Sequence, residues 1–290
     1  MFPFRITLLT ENMSMWLLLD IGNSSVKVGL YDRFAAERGA PISVRRIEYG
    51  KDADMDAEAI LVEWVGTTPL EKAGGVSVVP SQSLNWAELI ERLFGLNIDF
   101  FNESSNMPFD LTYQTPTTLG NDRIAVAVGG WTRFGNQGKN GVIVVDAGTA
   151  INYEVIRASG EYPGGVIAPG PGLVRQALGV GTAQLPSVEL ECPSGRIGRS
   201  TDEAIRSGIM YGLLDSVVAM IDGLQAEERR RLSSLDQGGS IDKPATSMLL
   251  PYEVVFTGGW GKWLSEKTGY RFEDHLVLKG VSDLMRRSAQ

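Results

Sequence analysis

Apolar residues along this chain gather into short runs separated by Gly, Pro, Asn and Ser, and the spacing inside each run predicts its element. Trp16 to Asp20 and Val26 to Tyr31 are strand-forming runs on either side of Gly22-Asn-Ser-Ser25, a cluster suited to chain reversal, so a hairpin is expected to open the fold. Ala57 to Val65 has weak strand or helix character, and Gly75 to Pro80 reads as a buried strand. Leu84 to Phe94 places apolar side chains at 86, 89, 90, 93 and 94, which suits a helix. Asn121 to Phe134 is also helical, its start marked by Gly120 and its apolar face by Ile124, Val128 and Trp131. Gly141 to Asp146 is a β-branched run and Ile151 to Ile156 a further strand, giving a second hairpin. A Gly/Pro-rich segment follows at Gly164 to Gly172, then a long helix around Thr201 to Leu224. The polar stretch 227 to 246 is expected to finish that helix and become a solvated surface loop at Asp236-Gln-Gly-Gly. Tyr252 to Phe256 reads as a strand ending in Thr257-Gly258-Gly259, and a closing strand and helix are expected over Leu276 to Met285.

The two hairpins are alike residue by residue. Leu17-Leu-Leu-Asp20-Ile-Gly22-Asn23 matches Ile143-Val-Val-Asp146-Ala-Gly148-Thr149 as an apolar strand, then Asp-x-Gly, then a small polar residue. The two copies lie about one domain apart, as an internal duplication predicts. Two related α/β halves are therefore expected, divided as 15–119 and 120–290, with residues 1–14 as an upstream extension.

A length of 290 residues, 43% of them hydrophobic, leaves room for about two compact cores at roughly 150 residues each. The net charge of -8 and the absence of any Lys/Arg block longer than Arg229 to Arg231 remove the driving force for phosphate-backbone binding, so no nucleic-acid partner is expected. A single cysteine, Cys192, cannot close an intramolecular disulfide, and a single histidine, His275, cannot build a His-rich zinc site. The apolar runs near the N-terminus are shorter than a secretory core, and no run approaches a membrane span, so a soluble cytoplasmic protein without membrane contact is expected.

The chemistry left open is that of carboxylates, backbone amides and bound cations. Asp20-Ile21-Gly22-Asn23-Ser24-Ser25-Val26-Lys27 sets a carboxylate at a strand end before a turn that can present N–H groups, hydroxyls and a Lys. Such a turn can cradle polyphosphate while the carboxylate holds a hydrated Mg²⁺ beside it. It lacks the Gly-Lys-Ser/Thr of a P-loop. The second copy, Asp146-Ala-Gly148-Thr149, makes a matched phosphate clamp the better reading, and Thr257-Gly258-Gly259 allows close backbone approach to a planar ligand.

These segments, together with Gly120-Asn-Asp-Arg123, Gly164-Gly-Val-Ile-Ala-Pro-Gly170 and Gly181-Thr-Ala-Gln-Leu-Pro186, stand in the order seen in type III pantothenate kinases, which the chain resembles over about residues 15 to 286. The resemblance implies two duplicated actin-like (ribonuclease H-like) α/β domains around a nucleotide cleft. It implies ATP-dependent phosphorylation of the pantothenate hydroxyl, the first step of coenzyme A synthesis, by a homodimer that uses Mg²⁺ and a monovalent cation, K⁺ or NH₄⁺. Carried onto this sequence, residues 20 to 27 match the first phosphate loop and Thr149 the second, with Thr257 to Gly259 on the adenosine side. Asp146 falls at the monovalent-cation position. Gly120, Asn121, Asp122 and Arg123 match the substrate motif, with Asp122 as catalytic base and Tyr113 and Thr182 as further pantothenate contacts. A carboxylate beside the acceptor hydroxyl and a guanidinium able to pair with the pantothenate carboxylate suit that chemistry independently of the family.

The chain departs from the family pattern at Asn121, where Ala is usual, and at Asn152 and Glu154, where Thr and Asp are usual. His275 and the tryptophans Trp86, Trp131, Trp260 and Trp263 read as structural, with base contact a secondary reading for Trp260 after the adenosine-side turn, and Cys192 reads as an ordinary thiol. Two other readings of the same fold stay open at this point: a nucleotide-binding accessory protein without turnover, and a sugar kinase.

Overall fold

The computed structural model describes residues 15–32, 41–49, 53–182, 184–236 and 252–289. The expected upstream extension and the part of the expected loop after Asp236 lie outside them, apart from 252 onward. The chain begins with β1 (Met15–Ile21), β2 (Ser25–Asp32), β3 (Ser43–Glu48), α1 (Ala53–Val65), β4 (Leu70–Ser77), α2 (Pro80–Phe94), β5 (Ile98–Phe100), the short β6 (Asp110–Leu111) and α3 (Asn121–Phe134). It continues with β7 (Gly141–Ala147), β8 (Ala150–Ile156), the short β9 (Glu161–Tyr162), β10 (Gly164–Pro169), α4 (Pro171–Gly181), α5 (Thr201–Asp236), β11 (Tyr252–Thr257), α6 (Gly261–Thr268), β12 (Arg271–Phe272) and α7 (Leu276–Ser288).

Two five-stranded sheets repeat one topology. The first runs β3-β2-β1-β4-β5 and the second β10-β8-β7-β11-β12. In each, the hairpin and the strand outside it are antiparallel, and the two strands on the other side of β1 or β7 are parallel to it. This matched order is the duplication that the paired Asp-x-Gly turns imply, in the actin-like α/β architecture that the family resemblance implies.

The first unit takes the chain up to Arg133 and then residues from His275 on; the second is Phe134–Asp274. The division thus falls after α3 instead of before it, and the last helix returns to the first unit. Packing explains the difference. Every residue of α3 from Arg123 to Trp131 and of α7 from Leu276 to Met285 is buried, which a helix shows only when it is enclosed by its own core. The two helices cross at glycines: a Cβ on Gly129 would sit 2.5 Å from the Leu276 carbonyl, and one on Gly280 would overlap the Ala125 carbonyl. Arg133 at the end of α3 pairs with the buried Asp283 of α7 at 2.5 Å. On the other face of the first sheet, Leu17, Leu19, Ile21, Val26 and Val28 pack against Leu61 of α1 and Trp86 and Ile90 of α2. Covered on both faces, β1 is buried throughout.

The second core joins Ile143, Val145, Tyr153, Val254 and Phe256 to Val217 and Ile221 of α5 and Leu264 of α6. Ala57–Val65, open between strand and helix in the sequence, belongs to a helix, and the Gly/Pro-rich segment from Gly164 is a strand and then a helix. The expected closing strand is absent among the described residues of that segment, because Leu276 to Leu278 open α7. His275 therefore caps a helix, in the left-handed region at φ 55, and its carbonyl accepts from the Lys279 N–H at 3.0 Å.

Helix α5 continues to Asp236, the point where the polar stretch is expected to stop being helix. Glu228 is the reason: it is buried, bridged by Arg157 and Arg231, and accepts from the Tyr252 hydroxyl at 3.3 Å. The same helix also corrects the expectation about apolar runs. It is long and apolar enough to cross a membrane by length and composition, with a mean hydropathy of 1.4 over its most apolar window, of which 33% is buried. Asp215 and Asp222 interrupt that stretch, and Ile209, Met210, Val217 and Ile221 are buried inside the second unit.

Candidate active site

In the first unit, the chemistry collects at the end of β1. The register pairs Asp20 with Lys27 and Lys27 with Arg46, so an acid and two bases lie in a row on one face of the sheet. Lys27 Nζ is 3.3 Å from Asp20 Oδ2. Between them the turn is closed by the Gly22 N–H donating to the Ser25 carbonyl at 3.1 Å, and the Tyr49 N–H donates to the Ser24 carbonyl at 3.2 Å. Asn23 and Ser24 are exposed at the tip. Ile21 and Val26 point into the core, so they can meet a ligand only through their backbone.

Asp122 lies in the first turn of α3. Its Oδ1 accepts from the Arg123 N–H at 2.8 Å, and a Cβ on Gly120 would sit 2.6 Å from the same oxygen. Burial pushes the Asp122 carboxyl above the usual aspartate range, and the nearby charge of Asp20 adds to this, against the opposing pull of the Arg123 amide and guanidinium. The two carboxylates are thus brought together within one unit. Arg123 is buried, with its guanidinium carbon 6.0 Å from the Tyr113 ring centroid. Tyr49 feels the same surroundings: burial, and then Asp20, push its phenol up to about 12.

The second unit repeats the turn in shorter form. Asp146 pairs with Asn152 in register, where the first copy pairs Asp20 with Lys27, and the Gly148 N–H donates to the Ala150 carbonyl at 2.9 Å. Thr149 is exposed beyond it. Strand β11 runs parallel to β7 with Thr257 beside Asp146, so the Thr257–Gly259 turn belongs to the same edge of the sheet. Gly258 has φ +82, and a Cβ there would overlap the Asp146 carboxylate. The Trp260 N–H donates to the Ala147 carbonyl at 2.9 Å, while the Thr257 side chain is buried. Trp260 itself packs against two apolar clusters of its unit.

Thr182 stands apart from these residues. It is exposed at the end of α4, and its hydroxyl donates to the Leu178 carbonyl at 2.7 Å. Glu154 is fully buried and accepts from the Tyr162 hydroxyl. Cys192 is exposed and free.

Two supporting contacts could not be read from pattern alone. Gly170 donates its N–H to the Thr149 carbonyl at 3.0 Å, and a Cβ there would sit 2.5 Å from the Gly148 carbonyl, so the start of α4 is pressed against the second turn. The Gly-Gly-Val-Ile-Ala-Pro-Gly segment marks the position, but only the fold supplies its neighbour. Asn121 donates from Nδ2 to the Ser77 carbonyl at 3.0 Å, a contact with no trace in local sequence.

The chain is similar to known proteins over most of its length. The family model described as type III pantothenate kinase matches residues 16–223. The type III pantothenate kinase of Chlorobaculum tepidum is 35% identical over 282 residues, covering 93% of this chain and 93% of the relative. That of Chlorobaculum parvum is 32% identical over 275 residues, covering 93% and 94%. The crystal structure of a Baf family protein from Campylobacter jejuni, 19% identical, superposes with a TM-score of 0.53 over 94% of this chain and 98% of that one, which bears on the fold alone.

Proposed function

The chain belongs to the type III pantothenate kinase family, and from that premise we propose how its residues divide the phosphorylation of the pantothenate hydroxyl by ATP. The observation that carries the assignment is the pairing of Asp122 with the Asp20 turn in one unit: a carboxylate of raised pKa beside a turn shaped for phosphate. Asp122 accepts the proton of the acceptor hydroxyl as its oxygen forms a bond to the γ-phosphorus, and the bond to the bridging oxygen breaks to release ADP. The turn from Asp20 to Lys27 binds phosphate through its amides, its hydroxyls and Lys27, and the turn at Thr149 has the same task in the second unit. Gly120 and Arg123 hold pantothenate, with the guanidinium on its carboxylate and Tyr113 beside it. Thr182 and the adenosine-side turn Thr257–Gly259 complete the assignment.

Among the described residues no group of three or more His, Cys, Asp or Glu could hold a metal. Mg²⁺ arriving on ATP keeps waters and phosphate oxygens and needs only one or two carboxylates; Asp20 would hold it, and the ion would neutralise phosphate charge. Asp146, set against the backbone of the Thr257–Gly259 turn, offers hard oxygen donors for K⁺ or NH₄⁺. Purified protein with ATP, Mg²⁺ and K⁺ is expected to form ADP and phosphopantothenate in equal amounts, and to stop when Mg²⁺ is chelated and slow when K⁺ is replaced by Na⁺. Turnover of a sugar but not pantothenate would make the chain a sugar kinase, and ATP binding without turnover would make it an accessory protein.

A homodimer is the assembly that the exposed apolar surface of the second unit favours. Ile167, Val180 and Ile197 are 63%, 83% and 87% exposed, and much of the apolar stretch of α5 is uncovered by its own unit. Sedimentation equilibrium is expected to give twice the chain mass, and Val180→Asp to shift it toward the monomer; a monomer in the unaltered protein rejects this assembly. Use of ATP and pantothenate is consistent with work in the cytoplasm.

A further inference from the structure

Ser77 ends β4 opposite Ile21, the residue that follows Asp20 in β1. This strand end is held independently of α3. The Val78 N–H donates to the Ile21 carbonyl at 3.1 Å, and the Ser77 hydroxyl accepts from the Val79 N–H at 3.1 Å. Onto this fixed point Asn121, the first residue of α3, donates from Nδ2 at 3.0 Å. A capping side chain accepts from the N–H groups of its own helix, whereas this one donates away from the helix to a strand of the sheet. Asp122 is the next residue, with its carboxylate fixed to the first turn of the same helix.

We infer that Asn121 is a positioning residue for phosphoryl transfer: its amide ties the start of α3 to the end of β4 and sets how far the Asp122 carboxylate stands from the phosphate turn that follows Asp20. The inference rests on the reading of Asp122 as the base. The acceptor oxygen must be deprotonated and aligned with the γ-phosphorus at once, and a displacement of about 1 Å can cost a reaction about 10²-fold. A bond from α3 to the strand end paired with β1, beside Asp20, is the kind of constraint that prevents it. The hydrogen bond between Asn121 and Ser77 is worth little to overall stability on its own, so its effect should appear in turnover before it appears in folding.

The test is a double-mutant cycle on the full chain with Asn121→Ala, Asp122→Asn and both together, reading kcat, each KM, the pH-rate profile and Tm. Asn121→Ala is expected to lower kcat about tenfold, to leave the KM for ATP within about twofold, and to move the acid limb of the profile. In the Asp122→Asn background the same change should cost less than about twofold, because the group it positions is gone. Asn121→Leu, similar in size but unable to donate, should behave as Asn121→Ala and separates the bond from simple loss of bulk. Equal losses in both backgrounds, with a parallel fall in Tm, would reduce Asn121 to a structural role and overturn the inference. A crippled Asp122→Asn beside a normal Asn121→Ala overturns the positioning role alone, whereas normal turnover in Asp122→Asn removes the base itself.

Discussion

Asp122→Asn loses about 10²- to 10⁴-fold of kcat, the range expected when a general base is removed, while binding of ATP changes little. The substitution keeps size and hydrogen bonding but cannot take the proton of the acceptor hydroxyl. It also carries an unusual control. Burial and the neighbouring Asp20 raise the Asp122 pKa, so the ionised form is worse placed in the folded protein than in the unfolded chain. For such a group the stabilising contribution is present at low pH and is lost as pH rises from the unfolded value through the raised folded one. At neutral pH the neutral amide should therefore leave Tm unchanged or raise it while turnover collapses. For the unaltered enzyme the acid limb of the pH-rate profile should lie above the ordinary aspartate value of about 3.9. Turnover near normal in the variant, measured by coupled ADP release, would remove Asp122 from the chemistry. A large fall in Tm would make the loss of activity uninformative about a proton.

Gly280→Ala is expected to have the largest effect on stability. The methyl would enter the Ala125 carbonyl where α7 crosses α3, and neither backbone can yield without moving a helix that is buried all round. Overpacking of this kind costs about 3 kcal/mol, which for a unit of this size lowers Tm by about 6 to 12 °C. Gly129→Ala, whose methyl would meet the Leu276 carbonyl at the same crossing, should act alike. Because α3 carries Asp122, activity should disappear over the same lowered temperature range. Thermal melts of Gly280→Ala that superpose on those of the unaltered protein would show that the crossing has slack.

What could be read before the fold was known depended on whether the controlling interaction was local. The runs at Leu17 to Asp20 and Ile143 to Asp146, with Asp-x-Gly after each, announce their hairpins because strand propensity and turn chemistry sit in adjacent residues. Asn121 to Phe134 is legible for the same reason, its helical span matching the pattern at both ends. Leu276-Val277-Leu278 misleads because a short apolar run looks alike in a buried strand and in a helix enclosed on all sides. The end of α5 is announced locally by Asp236-Gln-Gly-Gly, whereas what anchors its polar last turns, Arg157 on the buried Glu228, is far away in sequence and leaves no local signal. Asp20, Asp122 and Asp146 could be named from their motifs, whereas the reason for Gly170 lies in the Thr149 and Gly148 carbonyls and that for Asn121 in Ser77.

The return of α7 to the first unit also governs the order in which the molecule can be made. A ribosome delivers β1 to α3 first, yet Gly29, Gly74 and Gly129 wait for Leu278, Met285 and Leu276 to fill the space beside them. Between the two portions the whole of the second unit must emerge, a delay of several seconds to about half a minute at common elongation rates of about 5 to 20 residues per second. The half begun first is thus completed last. Through that interval the bare face of its sheet is where a chaperone or an aggregating neighbour meets the nascent chain, and a stop codon shortly before His275 would strand the first half in that state while leaving the second half whole.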